Sequence, residues 1–317
     1  MSAKEKRVSV KVPASTSNLG AGFDCIGMAV DRWLTASVEV SSQDGPSQVM
    51  MTRSGAVANL GETAEEDLIH TGFKMACETR GRRLPTRLHY VVTSTIPAAR
   101  GLGSSAAALI AGAMLANDAL SLDLDREAVA SLCARVEGHP DNAGAAVFGG
   151  TVLSIESRAA ANKSGYFFSR LQIHPHLGFV FAVPDLEIET SAARAVLPSA
   201  LSYAATVAAI AKAASLVRGL STGEADLLAY ALDDVVHVPF RRELIPGYAS
   251  VVAAAVSAGA YGATLSGSGS AIVAVARRDR LTEVGSVMQH EWQRLGRVTD
   301  VILATSEVSG ASTTAAG

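Results

Sequence analysis

Residues 96–107 read IPAARGLGSSAA, and the reading of this stretch decides the fold. An alternating run at 88–94 (LHYVVTS) precedes it and predicts a strand. An alanine-rich run at 105–119 follows and predicts a helix. Between them, Gly101 and Gly103 permit backbone conformations closed to other residues. Ser104 or Ser105 can cap the helix. The exposed amides and the positive end of the helix dipole then make an anion site. A serine hydroxyl at that point can also reach a metal carried by phosphates. An ordinary tight turn with serine caps accounts for the same local pattern. The stretch is not a Walker A loop, because the chain contains no Gly-Lys dipeptide. It is not a dinucleotide fingerprint either, since no third glycine falls in place. No protein-kinase HRD or DFG set occurs.

Three further clusters surround this one. Upstream, VSVKV at 8–12 alternates as a strand that Pro13 should end. The small polar run PASTSNLGAGFD (13–24) follows as a loop containing Asn18, Gly20, Gly22 and Asp24. A plain strand connection is its competing reading. Downstream, a helix at 125–137 leads into EGHPDNAGAAVFGG (137–150). Glu137 is a candidate hard ligand for magnesium. His139, Asp141 and Asn142 crowd what reads as a short loop. Later, GATLSGSGSA (262–271) reads as a turn-rich segment before the strand AIVAVA (271–276). Thr190 and Arg194 are four apart near a helix start and share a face. Arg241 lies in HVPFRRELIPG, and two arginines suit a bidentate carboxylate clamp.

The rest of the chain bounds these readings. Its 317 residues, 49% hydrophobic and 18% charged, suit two globular domains. Mixed strands and helices argue for α+β, with a break near residue 170. Polar residues at 158–165 predict a loop, and the tail at 310–317 predicts no fixed structure. A net charge of −3 supplies no electrostatic footprint for nucleic acid or an anionic membrane. Cys25, Cys77 and Cys133 stand far apart, so neither zinc site nor disulfide framework is expected. The N-terminal residues hold no apolar signal core, and the charge-free stretch 248–276 is broken by glycines. A cytoplasmic location with no membrane partner is the expectation.

Together and in this order, the segments resemble the galactokinase–homoserine kinase–mevalonate kinase superfamily. PASTSNLGAGFD is similar to its first motif, PAARGLGSSA to its second and LSGSGS to its third. The resemblance runs from about Val10 to Ala276. The pairing of SNLGAGFD, EGHPDNAGAAVFGG and FRRELIPG is more specific and resembles the homoserine kinases.

The resemblance implies an N-terminal domain (1–170) like domain 2 of ribosomal protein S5 and a ferredoxin-like C-terminal domain (171–317). The active site would lie between them. Pro97, Arg100, Gly101, Leu102, Gly103, Ser104, Ser105, Ala106 and Ala107 would form the ATP-phosphate loop. Ser105 and Glu137 would hold Mg2+. Asn18 and Asn142 would orient the hydroxyl of L-homoserine, Asp24 would take its ammonium, and Arg194 and Arg241 would clamp its carboxylate. Thr190 and His139 would sit nearby, and residues 267–269 would support the phosphate loop. Direct attack by the hydroxyl, placed by Asn142, is the favoured chemistry, with Asp141 as general base the competing one. A homodimer acting in threonine biosynthesis is also implied. A sister alcohol kinase and a non-catalytic relative are the alternatives. The chain departs from the family pattern at Ala21, at Ser270-Ala271 and at Asp67. The first two are expected to loosen loops, the third to alter nucleotide affinity.

Overall fold

A computed structural model describes residues 6–41, 46–61, 63–157 and 165–314. Residues 158–164 of the loop expected at 158–165, and residues 315–317, lie outside them. The chain runs β1 (Lys6–Asn18), β2 (Gly22–Ser41), β3 (Gln48–Gly55), α1 (Leu68–Thr79), β4 (Arg87–Ser94), α2 (Ser104–Leu120), α3 (Arg126–Glu137), α4 (Asp141–Phe148), β5 (Thr151–Ser157) and β6 (Gly165–Leu171). It continues as β7 (Leu177–Pro184), α5 (Thr190–Ala195), α6 (Tyr203–Thr222), α7 (Ala225–Leu232), α8 (Val238–Arg241), α9 (Tyr248–Ser257), β8 (Gly262–Leu265), β9 (Ile272–Arg277), α10 (Leu281–Arg294), β10 (Thr299–Ala304) and β11 (Ser312–Thr314).

Alternation builds the first sheet. Val8, Val10 and Val12 on β1, Leu34, Ala36 and Val38 on β2, and Leu88, Tyr90 and Val92 on β4 all point inward. Among the described residues this sheet has seven strands, in the order β11-β1-β2-β4-β3, with β5 and β6 branching from β2. The inward side chains meet α1 and α2 in one core with Ile69, Phe73, Leu109 and Ile110. Helix α2 is apolar around nearly its whole circumference, as a helix enclosed by other elements must be. It approaches α1 closely because Gly72 and Gly112 face each other's helix. A Cβ on Gly112 would lie 1.9 Å from the Ile69 carbonyl, and one on Gly72 2.1 Å from that of Leu109.

The second sheet has the antiparallel order β10-β7-β9-β8. In chain order that is fourth, first, third, second, with α9 and α10 packed against it: a ferredoxin-like arrangement. The period of two sorts its residues. Phe179, Phe181, Val273 and Val275 join the core of the first sheet. Val180, Ala182, Ile272 and Ala274 turn toward Val251, Val284, Met288 and Trp292. Both parts of the α+β expectation therefore hold, each with its own sheet.

Several local expectations need correction. Pro13 does not end β1; the strand continues to Asn18 because the ladder shifts register between Pro13 and Ala14. Asp141 and Asn142 open helix α4 instead of sitting in a loop, since the small apolar residues after them are buried. Residues 262–265 pair as β8. Strand β3 has no counterpart in the sequence reading; it is a mostly exposed edge paired in parallel with β4. The polar tail is ordered through residue 314, because β11 covers the free edge of β1 and Ala311 is buried.

Candidate active site

The turn between β4 and α2 sits on top of the first motif. Gly103 caps α2 at φ +65°, and a Cβ there would lie 2.2 Å from Ser15 Oγ and 3.0 Å from Asn142 Oδ1. The missing side chain thus makes room for the Ser15 hydroxyl, which donates to Asn142 Oδ1 at 2.9 Å. Gly101 is equally constrained, at φ +74° and with the Ser266 carbonyl 2.0 Å from where a Cβ would be. The third motif lies against both others. Ser266 Oγ donates to the Gly101 carbonyl at 2.6 Å, and the Gly267 amide donates to the Ser17 carbonyl at 3.1 Å. Asn18 Nδ2 donates to the Gly267 carbonyl at 3.0 Å, while its Oδ1 accepts from the Asp24 amide at 3.0 Å. The first-turn amides of α2 are left facing the cleft, where an anion is favoured.

Helix α3 delivers Glu137 to the same place. Ser105 Oγ donates to Glu137 Oε1 at 2.5 Å. Glu137 Oε2 is buried and has no hydrogen-bond partner. Burial holds this carboxyl above its ordinary value, and nearby Asp141 adds to the effect, against His139 and the Ser105 hydrogen bond. A buried anionic oxygen without a donor, beside a hydroxyl on a phosphate-type turn, is a donor set suited to magnesium.

After Gly138 the chain turns into α4. His139 Nδ1 lies 2.7 Å from Asp141 Oδ1, which also accepts from the Asn142 amide at 2.7 Å. Asp141 Oδ2 is buried without a partner. Burial would lower the His139 imidazole, but the hydrogen bond and charge of Asp141 outweigh it and hold it above its ordinary value. Asn142 Nδ2 donates to Ser17 Oγ at 3.1 Å, so hydroxyls of β1 fix the carboxamide from both ends.

The opposite wall comes from the second half of the chain. Arg194 on α5 forks onto Asp24 at 2.8 and 3.2 Å. Arg241 on α8 is buried; its Nε donates to the Ala193 carbonyl at 3.0 Å and Nη1 to the Gly267 carbonyl at 3.3 Å. Asp234 sets the start of α8 by accepting from the amides of Val236, His237 and Val238. Phe23 lies between the two guanidinium groups, 6.0 Å from Arg194 and 5.2 Å from Arg241, and stacks on His237 at 4.9 Å. Burial, then repulsion by Arg194, pushes Arg241 down to about 10. Arg241 remains charged at neutral pH, with an unmet preference for an anion.

These side chains line a cavity of about 310 Å³ that brings together Asn18, Asp24, Ser105, Glu137, His139, Asp141, Asn142, Thr190, Arg194 and Arg241. Gly101, Gly103 and Ser104 line it too. Pro97, Arg100, Leu102, Ala106 and Ala107 are not among its lining residues. Leu102, Ala106 and Ala107 are core, and Arg100 turns to the Pro184 carbonyl and Glu187. Leu68, Ser104 and Ser105 are shared with a second, more apolar cavity of about 360 Å³, whose walls include Val57, Ile69, Val92 and Ala108. There Asp67 caps α1 through the Ile69 amide and takes Arg53 at 2.7 and 3.1 Å. Asp24, His139 and Asp141 place ligand atoms within 4.8 Å of one another, but each is already engaged in the ion-pair network just described.

Sequence reasoning did not single out Ser15, Ser17, Phe23 or Asp234. The two serines fall two apart on a strand, a signal that the loop reading of 13–24 hid. Ser270 Oγ donates to the Leu186 carbonyl, and the Ala271 amide to that of Arg100. Ala21 is similarly tied by its amide to the Ala231 carbonyl.

Comparison with known proteins places the chain among relatives. Residues 67–150 match the model for the GHMP kinases N terminal domain, and 213–294 match that for GHMP kinases C terminal. The chain is 40% identical to homoserine kinase of Deinococcus radiodurans over 273 residues, 86% of this chain and 85% of that protein. It is 38% identical to homoserine kinase of Nostoc sp., covering 91% and 93%. A crystal structure of homoserine kinase from Cytophaga hutchinsonii superimposes with a TM-score of 0.84 at 27% identity, covering 99% of both chains.

Proposed function

The chain belongs to the GHMP kinase family, and from that premise we propose that it transfers the γ-phosphoryl group of ATP to the side-chain hydroxyl of L-homoserine. One observation carries the substrate choice. Two arginines and Asp24 converge on the cavity that also holds the glycine turn and Glu137. An amino-acid zwitterion needs a cationic clamp and an acid; a simple sugar or alcohol needs neither.

Each residue then has a task. The amides at the start of α2 receive phosphate oxygens, and the apolar cavity next to them takes the nucleoside base. Ser105 and Glu137 would hold magnesium, which when bound neutralises phosphate charge. Arg194 and Arg241 receive the carboxylate. Asp24, already partly neutralised by Arg194, receives the ammonium through its remaining lone pairs. Asn142, fixed by Ser15 and Ser17, orients the hydroxyl for in-line attack. A loose phosphoryl transition state asks mainly for such positioning, so no strong base is required. Asp141 as proton acceptor is a second reading, favoured by its one unpartnered oxygen.

A coupled ADP-release assay with magnesium and ATP against homoserine, serine, mevalonate and galactose tests the proposal. Turnover with homoserine alone supports it. Turnover with another alcohol would keep the phosphate loop and overturn the zwitterion site, and silence on all four would favour a binding role.

A further inference from the structure

A further cavity lies away from the cleft. It measures about 600 Å³ and shares no lining residue with the active-site cavity or its apolar neighbour. That is a size at which small molecules are bound. The chain passes between the two sheets twice, at 172–176 from β6 to β7 and at 305–311 from β10 to β11. Both crossings line this cavity, through Gln172, Ile173 and His174 on the first and Thr305, Ser306 and Glu307 on the second. Gly150 lines it as well. That glycine ends the stretch EGHPDNAGAAVFGG, whose opening residues serve the active site.

Helix α4 spans the distance between the two sites. Its eight residues, about 12 Å of helix, have Asn142 near one end and the Gly149-Gly150 turn at the other. The second crossing is bonded to that far end. The Gly150 amide donates to the Val308 carbonyl at 2.9 Å, and the Ala311 amide to the Ala146 carbonyl at 2.8 Å. The lining sets the ligand. Met28, Leu171, Ile173, Leu177 and Phe179 supply an apolar wall. Beside it stand two arginines and one glutamate. Arg170 and Glu307 pair with each other. Arg278 gives its Nε to the Leu177 carbonyl at 3.0 Å and meets no carboxylate among the described residues. A guanidinium with its outer nitrogens uncommitted suits one carboxylate. A phosphate dianion would face Glu307 with a single free cation to balance it, and a sugar would leave the apolar wall unmatched.

We infer that this cavity is a second ligand site, built for a small monocarboxylate with an apolar body, and that its occupant is felt at Asn142 through α4. The carboxylate meets the Nη groups of Arg278, and the body lies against Ile173 and Leu177. An occupant touches both crossings at once and so steadies one sheet against the other. The active-site walls come from the same two parts of the chain. The coupling rests on the role given to Asn142 above; the binding does not.

Calorimetric titration of the full chain with 4-phenylbutyrate tests the site without reference to activity. A Kd of about 1 mM or tighter is expected, the range open to roughly a dozen non-hydrogen atoms. The matching alcohol and amine, with the same body and no carboxylate, should bind at least about tenfold more weakly. Arg278→Gln should weaken binding of the acid about tenfold. Thr305→Trp, which fills the cavity from an exposed position, should abolish it. Circular dichroism should be unchanged for both. With isotope-labelled methionine methyls, the Met28 signal should move as the acid is added. Equal affinity for the three compounds would overturn the site, and so would wild-type binding by both variants or an unmoved Met28 signal. Binding lost instead in Arg241→Ala would assign the acid to the active site and overturn it too. Saturating homoserine should change the Kd of the acid at least about threefold, and by linkage the acid should change that of homoserine equally. An unchanged Kd would overturn the coupling. If homoserine itself bound nowhere, the substrate reading would fall while the acid's own titration still decided the cavity.

Discussion

Glu137 is the residue on which the metal assignment turns. Glu137→Gln should reduce magnesium-dependent turnover at least about a hundredfold while the far-UV spectrum stays unchanged; near-normal turnover would remove it from the metal site. Its raised carboxyl also sets a pH dependence. The metal binds the deprotonated form, so acidification through a raised value releases it at a higher pH than an ordinary glutamate would allow. The acid limb of kcat/KM should therefore move to lower pH as magnesium is increased. A limb that ignores magnesium would assign it to another group. Asp141→Asn decides the proton question. Direct attack predicts a loss of kcat of about tenfold or less and an unchanged pH profile, whereas loss of a general base costs about 10²–10⁴. Arg241→Ala should raise the homoserine KM about ten- to a hundredfold, the worth of a charge-assisted hydrogen bond. Arg241→Lys should recover little, because a point charge lacks the fork; full recovery would make the site a charge and not a clamp. At this scale the sequence was informative. Asn18, Asp24, Ser105, Glu137, His139, Asp141 and Asn142 stand in dense polar clusters of the sequence and line one cavity. Thr190, Arg194 and Arg241 line it too, with roles that the family resemblance supplied; Pro97, Arg100, Leu102, Ala106 and Ala107 do not line it. Ser15 and Ser17 escaped because a small hydroxyl in a strand looks like any other surface alternation.

Elements were legible where their periodicity was uninterrupted. The long alanine-rich α2 and the strands β4, β7 and β9 follow directly from their patterns. Strand β1 was cut short at Pro13, since a register shift that admits proline depends on the partner strand and not on the local sequence. Helix α4 was hidden because its opening residues, Asp141 and Asn142, look like turn formers while serving as its first turn. The crossing of α1 and α2 was also illegible, because the reciprocal glycines Gly72 and Gly112 lie forty residues apart. That crossing makes a prediction. Gly112→Ala places a methyl against the Ile69 carbonyl and should cost about 1–3 kcal/mol in urea unfolding. Because Leu68 and Ile69 line the base cavity, the same change should raise the KM for ATP. Wild-type values for both would mean the helices separate freely.

At the scale of the whole molecule, the described residues form two sheets, and the active-site cavity draws its walls from the parts that carry both. The ferredoxin-like order could be anticipated only through family resemblance, since strand order is a long-range property that no window of sequence reports. The tail was misread for the same reason: small polar residues predict disorder unless an open strand edge is waiting for them. Truncation before Ser309 should lower the melting temperature by about 5 °C or more, as β1 loses its edge partner and Ala311 its burial; an unchanged melt would make β11 ornamental. That same pairing, Ser9 with Thr314, has a consequence for biosynthesis. A ribosome releases β1 early and must translate the entire ferredoxin-like domain before β11 emerges. Throughout that interval the nascent first domain carries a bare strand edge, a template for pairing with neighbouring chains. Crowded polysomes are thus where this protein is most exposed to misassembly, and where a chaperone that shields strand edges would protect it most.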